Sequence, residues 1–84
     1  MLKILLERGA EKDLDRLAPE VFQRVVEAIR SLKDAARPAG SKKLAGSSGG
    51  WRIRVGDYRV IYDIDDRAKC VRILRVRHRR EVYR

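Results

Sequence analysis

The chain has 84 residues, 44% of them hydrophobic, and a formal net charge of +9. That length holds one modest core, burying about 60–65% of the unfolded surface, and that composition excludes a disordered chain. A single cysteine and a single histidine exclude an intramolecular disulfide and make a zinc site untenable, which fits a reducing cytosol.

Leu2 to Glu7 is nearly continuous in apolar residues and predicts a first strand, interior or well covered. The run is interrupted by Lys3 and is too short for a signal-peptide core or a membrane span, so a soluble cytoplasmic protein without a membrane partner is expected. Arg8-Gly9-Ala10 opens a short helix to about Leu17, with Ala10, Leu14 and Leu17 as a narrow apolar stripe. Ala18-Pro19 breaks it, and Pro19 suits the first turn of a second helix, with Glu20 near the positive end of its dipole. That helix is expected to reach about Ala36 on a wide face of Val21, Phe22, Val25, Val26, Ile29 and Leu32. The short break predicts an antiparallel helical hairpin that serves as scaffold.

Pro38 to Ser41 ends the helix, and Lys42 to Gly50 reads as a mobile loop within the domain, with Leu44 tucked under the sheet. Lys42 and Lys43 are either phosphate contacts or solvated charge. From Trp51 the pattern changes to period 2. Trp51, Ile53 and Val55 alternate with Arg52 and Arg54, Gly56-Asp57 is a two-residue turn signal, and Tyr58 to Tyr62 is β-branched and aromatic.

That turn sets a register: Val55 opposite Tyr58, Arg54 opposite Arg59, Ile53 opposite Val60 and Trp51 opposite Tyr62. The apolar members share one face, and Arg52, Arg54 and Arg59 share the other. Like charges directly opposite each other destabilise a sheet. Their presence points to an anionic ligand, best a phosphate backbone; the competing reading is a solvated polar face whose charges spread into water or pair with Asp63. Asp65 to Ala68 is a turn with acidic starters. Cys70 to Val76 predicts a central strand, since Val71 and Ile73 alternate with Leu74 and Val76 and leave both sides apolar, with Arg72, Arg75 and Arg77 at the edges. Cys70 reads as a small buried residue.

The charge is lopsided. Residues 1–40 carry 8 Lys/Arg against 7 Asp/Glu, whereas residues 41–84 carry 13 against 5. A one-sided basic block is the electrostatic footprint of a nucleic-acid binder or of a protein with an acidic partner. The acidic residues are scattered through predicted helices and turns, so no metal and no cofactor are expected.

The order of these motifs is strand, helical hairpin, Lys43-Leu-x-Gly46, Trp51-Arg-Ile-Arg54, Asp57-Tyr-Arg-Val-Ile-Tyr62 and a closing His78-Arg-Arg-Glu-Val-Tyr83. Over essentially the full chain it resembles the RelE toxins of the RelE/ParE superfamily of type II toxin–antitoxin systems. The resemblance implies a single α+β domain over residues 1–84: an N-terminal strand and a two-helix hairpin packed on a small, mostly antiparallel sheet of about four strands. It also implies a ribosome-dependent mRNA endonuclease that cuts codons in the A site, with mRNA, ribosomal RNA and a cognate antitoxin as partners.

Carried over by position, the catalytic set is Arg52, Arg54, Arg59, Arg79 and Tyr83, with His78 as an added candidate base. Lys42, Lys43, Arg77 and Arg80 are expected to bind RNA phosphates. Cleavage by the 2′-hydroxyl of the RNA itself needs a deprotonated nucleophile, a stabilised phosphorane and a protonated leaving oxygen. Arginines meet the second need by preorganised charge. His78 is either the general base that arginines replace poorly or a sheet-end residue that packs or touches phosphate. Arg77 stands where glycine is common in the family, and Glu81 is expected to pair with a neighbouring arginine. Three rivals remain: a ParE-like protein that binds DNA gyrase, a non-catalytic nucleic-acid-binding module, and an inactivated toxin kept as a regulatory partner.

Overall fold

The computed structural model describes residues 1–44 and 50–82, with side chains described as far as Arg80. Its elements are β1 (Lys3–Leu6), α1 (Arg8–Asp15), α2 (Pro19–Ser31), β2 (Lys42–Lys43), β3 (Gly50–Val55), β4 (Tyr58–Asp65), β5 (Cys70–His78) and α3 (Arg79–Val82). The helical hairpin packs on a five-stranded mixed sheet of order β1-β5-β4-β3-β2, in which only β1 and β5 run parallel. The fold is the expected α+β arrangement, with five strands in place of about four. The additional strand is Lys42–Lys43, expected as loop, which pairs with Arg52 and Trp51.

The hairpin forms in the expected register, with Val55 opposite Tyr58, Arg54 opposite Arg59, Ile53 opposite Val60 and Trp51 opposite Tyr62. Gly56 takes φ +60°, a conformation open to glycine at no steric cost, which lets so tight a turn close. At the other end of β4, Asp65 Oδ1 accepts a hydrogen bond from the Ala68 N–H (3.0 Å), the side-chain turn device expected of an aspartate there.

Ala10, Leu14, Val25, Ile29, Leu32 and Ala36 meet Ile53, Val60, Tyr62, Val71, Ile73 and Val76 in one core between helices and sheet. Each fully buried aliphatic contributes about 1.5–3 kcal/mol relative to exposure. Tyr62 is wholly buried and donates from its hydroxyl to the Ala36 carbonyl (2.8 Å), tying the chain after α2 to the sheet. Burial pushes the Tyr62 phenol up, against a hydrogen bond with Ser41 and the charge of Arg37. Cys70 is buried, as expected.

Three expectations give way. β1 is an edge strand, with Leu5 50% and Leu6 41% exposed, so its apolar run does not mark an interior position. α2 stops at Ser31, five residues before Ala36, although Leu32 and Ala36 remain buried in the turns that follow; the apolar stripe outlasts the helix. β5 is central, between β1 and β4, but Val76 does not face away from Val71 and Ile73. A bulge lets Ile61 pair with Arg75 and Tyr62 with Ile73, leaving Leu74 as the extra residue. The alternation changes phase there, and Val76 returns to the core.

Candidate nucleic-acid interface

The same bulge completes the basic face. Arg54, Arg59 and Arg77 are successive Cα partners across β3, β4 and β5, so the three arginines form one row on the side of the sheet away from the helices. Directly opposed residues in such a ladder are about 4.5–5.5 Å apart at Cα. Arg52 lies one row over, beside Ile61, and its partner on β2 is Lys42. Lys43 pairs with Trp51 and so belongs to the opposite face. The lysine pair is therefore split, one joining the arginines and one not.

Arg59 is 5% exposed. Its Nη1 donates to the Tyr58 carbonyl (3.2 Å), and its Nε is buried without a hydrogen-bond partner among the described residues. Arg54 is exposed and is anchored by Nε donating to the Gly56 carbonyl (3.2 Å). Ion pairs among the described residues join Arg37 to Asp66, Arg72 to Glu7 and Arg75 to Asp13; none takes in Arg52, Arg54 or Arg59. The pairing of this face with Asp63 is not found there. A buried guanidinium with an unsatisfied N–H costs the desolvation of that group, about 1–3 kcal/mol or more. An anion seated against the row would satisfy it.

The C-terminal residues divide. The Arg79 N–H donates to the Asp57 carbonyl (2.7 Å), which docks the start of α3 on the hairpin turn and brings Arg79 and Arg80 to the end of the sheet that carries Arg54 and Arg59. His78 pairs with Tyr58, on the helix-facing side, and its ring meets the Tyr58 ring edge-on (centroids 5.3 Å apart, 88°). His78 Nδ1 accepts from the Arg80 N–H (3.3 Å), so the neutral ring carries its proton on Nε2. His78 is thus not brought together with Arg52, Arg54 and Arg59. Tyr83 and the side chain of Glu81 lie outside the described residues.

Asp13 was not singled out from the sequence. Its Oδ2 accepts from Arg75 Nε (2.8 Å) and the Val76 N–H (2.9 Å), and Oδ1 from Arg75 Nη2 (3.1 Å). Burial would raise the Asp13 carboxyl, but the hydrogen bonds from Arg75 and Val76 and the charges of Arg75 and Arg77 outweigh it and hold it below its ordinary value. The signal was present: Ala10, Asp13, Leu14 and Leu17 follow the i, i+3, i+4, i+7 spacing of a buried helix face, with a carboxylate where an apolar residue belongs. Among the described residues no cluster of three or more His, Cys, Asp or Glu side chains is placed to hold a metal, and no helix is long and apolar enough to cross a membrane.

A family model described as the ParE toxin of type II toxin–antitoxin systems, parDE, matches residues 4–83. Toxin RelG of Mycobacterium tuberculosis is 38% identical over 76 residues, covering 89% of this chain and 87% of RelG. The fold matches a chain of the toxin–antitoxin complex RelBE2 from the same organism (TM-score 0.79, 34% identity, 92% of this chain and 96% of that one). It also matches a chain of the archaeal RelE–RelB complex of Pyrococcus horikoshii OT3 (TM-score 0.82, 28% identity, 93% and 94%). With the full-length family match and a relative of this similarity in hand, the chain belongs to the RelE/ParE superfamily, as a toxin of a type II toxin–antitoxin system.

Proposed function

We propose that this toxin is a ribosome-dependent mRNA endonuclease that cuts A-site codons in the cytoplasm without a metal. The observation that carries the reading is the Arg54–Arg59–Arg77 row, with Arg59 buried and its Nε unpartnered among the described residues. A gyrase-binding surface needs no buried, unsatisfied cation; a site that stabilises a transient dianionic phosphorane does.

In this mechanism the ribosome holds the codon so that a 2′-hydroxyl lies in line with the adjacent phosphorus. Arg59 faces the phosphorane from beneath, and Arg52 and Arg54 hold the phosphate and the nucleophile side. Arg79 serves the leaving 5′-oxygen, and Tyr83 stacks on a base or orients the 2′-hydroxyl. Lys42, Arg77 and Arg80 hold flanking phosphates, whereas Lys43, on the opposite face, is left as solvated charge. Arginine is a poor acid or base because its pKa is above about 12, so positioning by the ribosome carries part of the rate and naked RNA is a poor substrate. A cognate antitoxin covers the basic face between bouts of activity; the RelG and RelBE likenesses support such a partner.

The test maps RNA 5′ ends in a translating cell-free extract with the purified chain, beside Arg59→Ala. New ends inside A-site codons, absent with the variant, are expected. Intact transcripts with continuing translation would overturn the nuclease reading; gyrase supercoiling would then be assayed, since the matched family model is that of a ParE toxin.

A further inference from the structure

β1 pairs with β5 only from Cys70 to Ile73, so the outer edge of β5 beyond Ile73 has no neighbouring strand. The end of α1 covers part of that edge, and between them lies a cleft of about 410 Å³. From its walls we infer that this cleft is a nucleotide subsite, which takes the RNA residue next to the scissile phosphate. The inference rests on the nuclease reading above and extends it to the opposite face of the sheet.

Charge is the first argument. Arg16, exposed just past the end of α1, and Arg77 border the cleft. The one carboxylate in the wall, Asp13, has both oxygens engaged by Arg75 and the Val76 N–H and presents little net negative charge. The cleft therefore attracts anions, and its volume lies in the ordinary range for small-molecule sites, about 300–1,000 Å³.

Shape and ring chemistry make the anion a nucleotide. Half-buried Leu17 supplies an apolar wall, and the edge-on Tyr58–His78 pair supplies aromatic surface against which a base can lie. With Nδ1 engaged by the Arg80 N–H, His78 offers Nε2–H as a donor to a base or phosphate oxygen. This gives the chain's one histidine a binding role in place of proton transfer. Arg77 joins the two places: it stands opposite Arg59 in the row and also lines the cleft. A strand with its scissile phosphate on Arg59 can pass its next residue over the uncovered edge of β5.

The experiment titrates the ¹⁵N-labelled full chain with a 5′-phosphorylated RNA trinucleotide whose middle residue is 2′-deoxyadenosine, which cannot be cut by its own 2′-hydroxyl. Saturable shifts are expected at the Arg16 and Leu17 amides and the His78 imidazole. Arg16→Ala should weaken binding at these resonances about tenfold, with its melting temperature unchanged, whereas Arg30→Ala on α2 should bind as the parent does. Shifts confined to Arg52, Arg54 and Arg59 would overturn the subsite and leave the nuclease reading standing. Tighter binding of a poly-glutamate peptide than of the trinucleotide at Arg16 and His78 would overturn the nucleotide assignment in favour of an acidic protein segment. No shifts anywhere would overturn the subsite, while the nuclease reading stands or falls by the A-site 5′-end mapping described above.

Discussion

Two arginines on adjacent strands have opposite surroundings. Arg75, at the seam between α1 and β5, is 44% exposed, yet it holds a two-pronged contact with an almost fully buried carboxylate. Arg59, on the hairpin, is 5% exposed and meets one carbonyl and no carboxylate among the described residues. If stability alone shaped the chain, the better-buried cation would hold the countercharge. The reverse holds: the seam is satisfied scaffold, and the buried guanidinium of the hairpin has no countercharge among the described residues, which is the arrangement that the proposed phosphate site needs. Buried polar groups are usually hydrogen-bonded, so an exception calls for a functional reason.

Removing Arg59 should break this contrast most visibly. Arg59→Met keeps the volume and discards the charge. A-site cleavage is expected to fall by about 10²–10³, the usual loss on removing one preorganised donor to a transition-state anion. The same variant should be more stable by about 1–2 kcal/mol, since replacing an uncompensated buried charge with an apolar side chain is often stabilising. For a domain of this size that raises the melting temperature by about 4–8 °C per kcal/mol. Codon-resolved 5′-end mapping and thermal melts read the two effects separately. A variant that loses both activity and stability would show that Arg59 is structural.

The seam should respond in the other direction. Asp13→Asn removes the charge that both Arg75 and the Val76 N–H lean on. Breaking a fully buried pair costs about 3–5 kcal/mol, but water can reach the half-exposed Arg75, so about 1–2 kcal/mol and a drop of about 5–10 °C are expected. Because the folded-state pKa of Asp13 is depressed, its contribution is fully present above the unfolded value and disappears as pH falls through the folded one. The parent should therefore lose stability below about pH 4 more steeply than Asp13→Asn. Parallel slopes in acid would show that the seam adds nothing. Urea titrations at several pH values decide this.

The same contrast explains what could be foreseen. The hairpin was legible because period-2 alternation and Gly56 act within a dozen residues, and they place Arg52, Arg54 and Arg59 together without tertiary information. The third arginine of the row was not. Without the bulge, alternation from Ile73 would put Arg77 on the core side and His78 with the arginines; one unpaired Leu74 exchanges them. Leucine and valine are both apolar, so hydropathy does not reveal the change of phase. The Lys42–Lys43 strand is too short to carry a pattern, and the edge position of β1 is a property of the whole sheet. Buried Leu32 and Ala36 continue the apolar stripe of α2 after its backbone has turned, which is why the helix was expected to be longer.

The smallest expected effect tests how tightly the seam is built. A Cβ added at Gly9 would come within 2.9 Å of Arg75 Cδ and 3.4 Å of the Leu74 carbonyl oxygen. Alanine is otherwise favoured over glycine inside a helix by about 0.5–1 kcal/mol. In the parent, Arg75 is pinned by Asp13 and cannot easily yield, so Gly9→Ala should be destabilising by about 0.5–1 kcal/mol in spite of the helix gain. In the Asp13→Asn background Arg75 loses the two-pronged hold of the carboxylate, its side chain can shift more readily, and the same substitution should become neutral or mildly stabilising. A double-mutant cycle isolates that sign change as a coupling energy of about 1 kcal/mol between Gly9 and Asp13, two residues linked through Arg75. Additive effects would mean that the clash is with the backbone of β5, and that the seam owes its fit to strand position, not to the salt bridge.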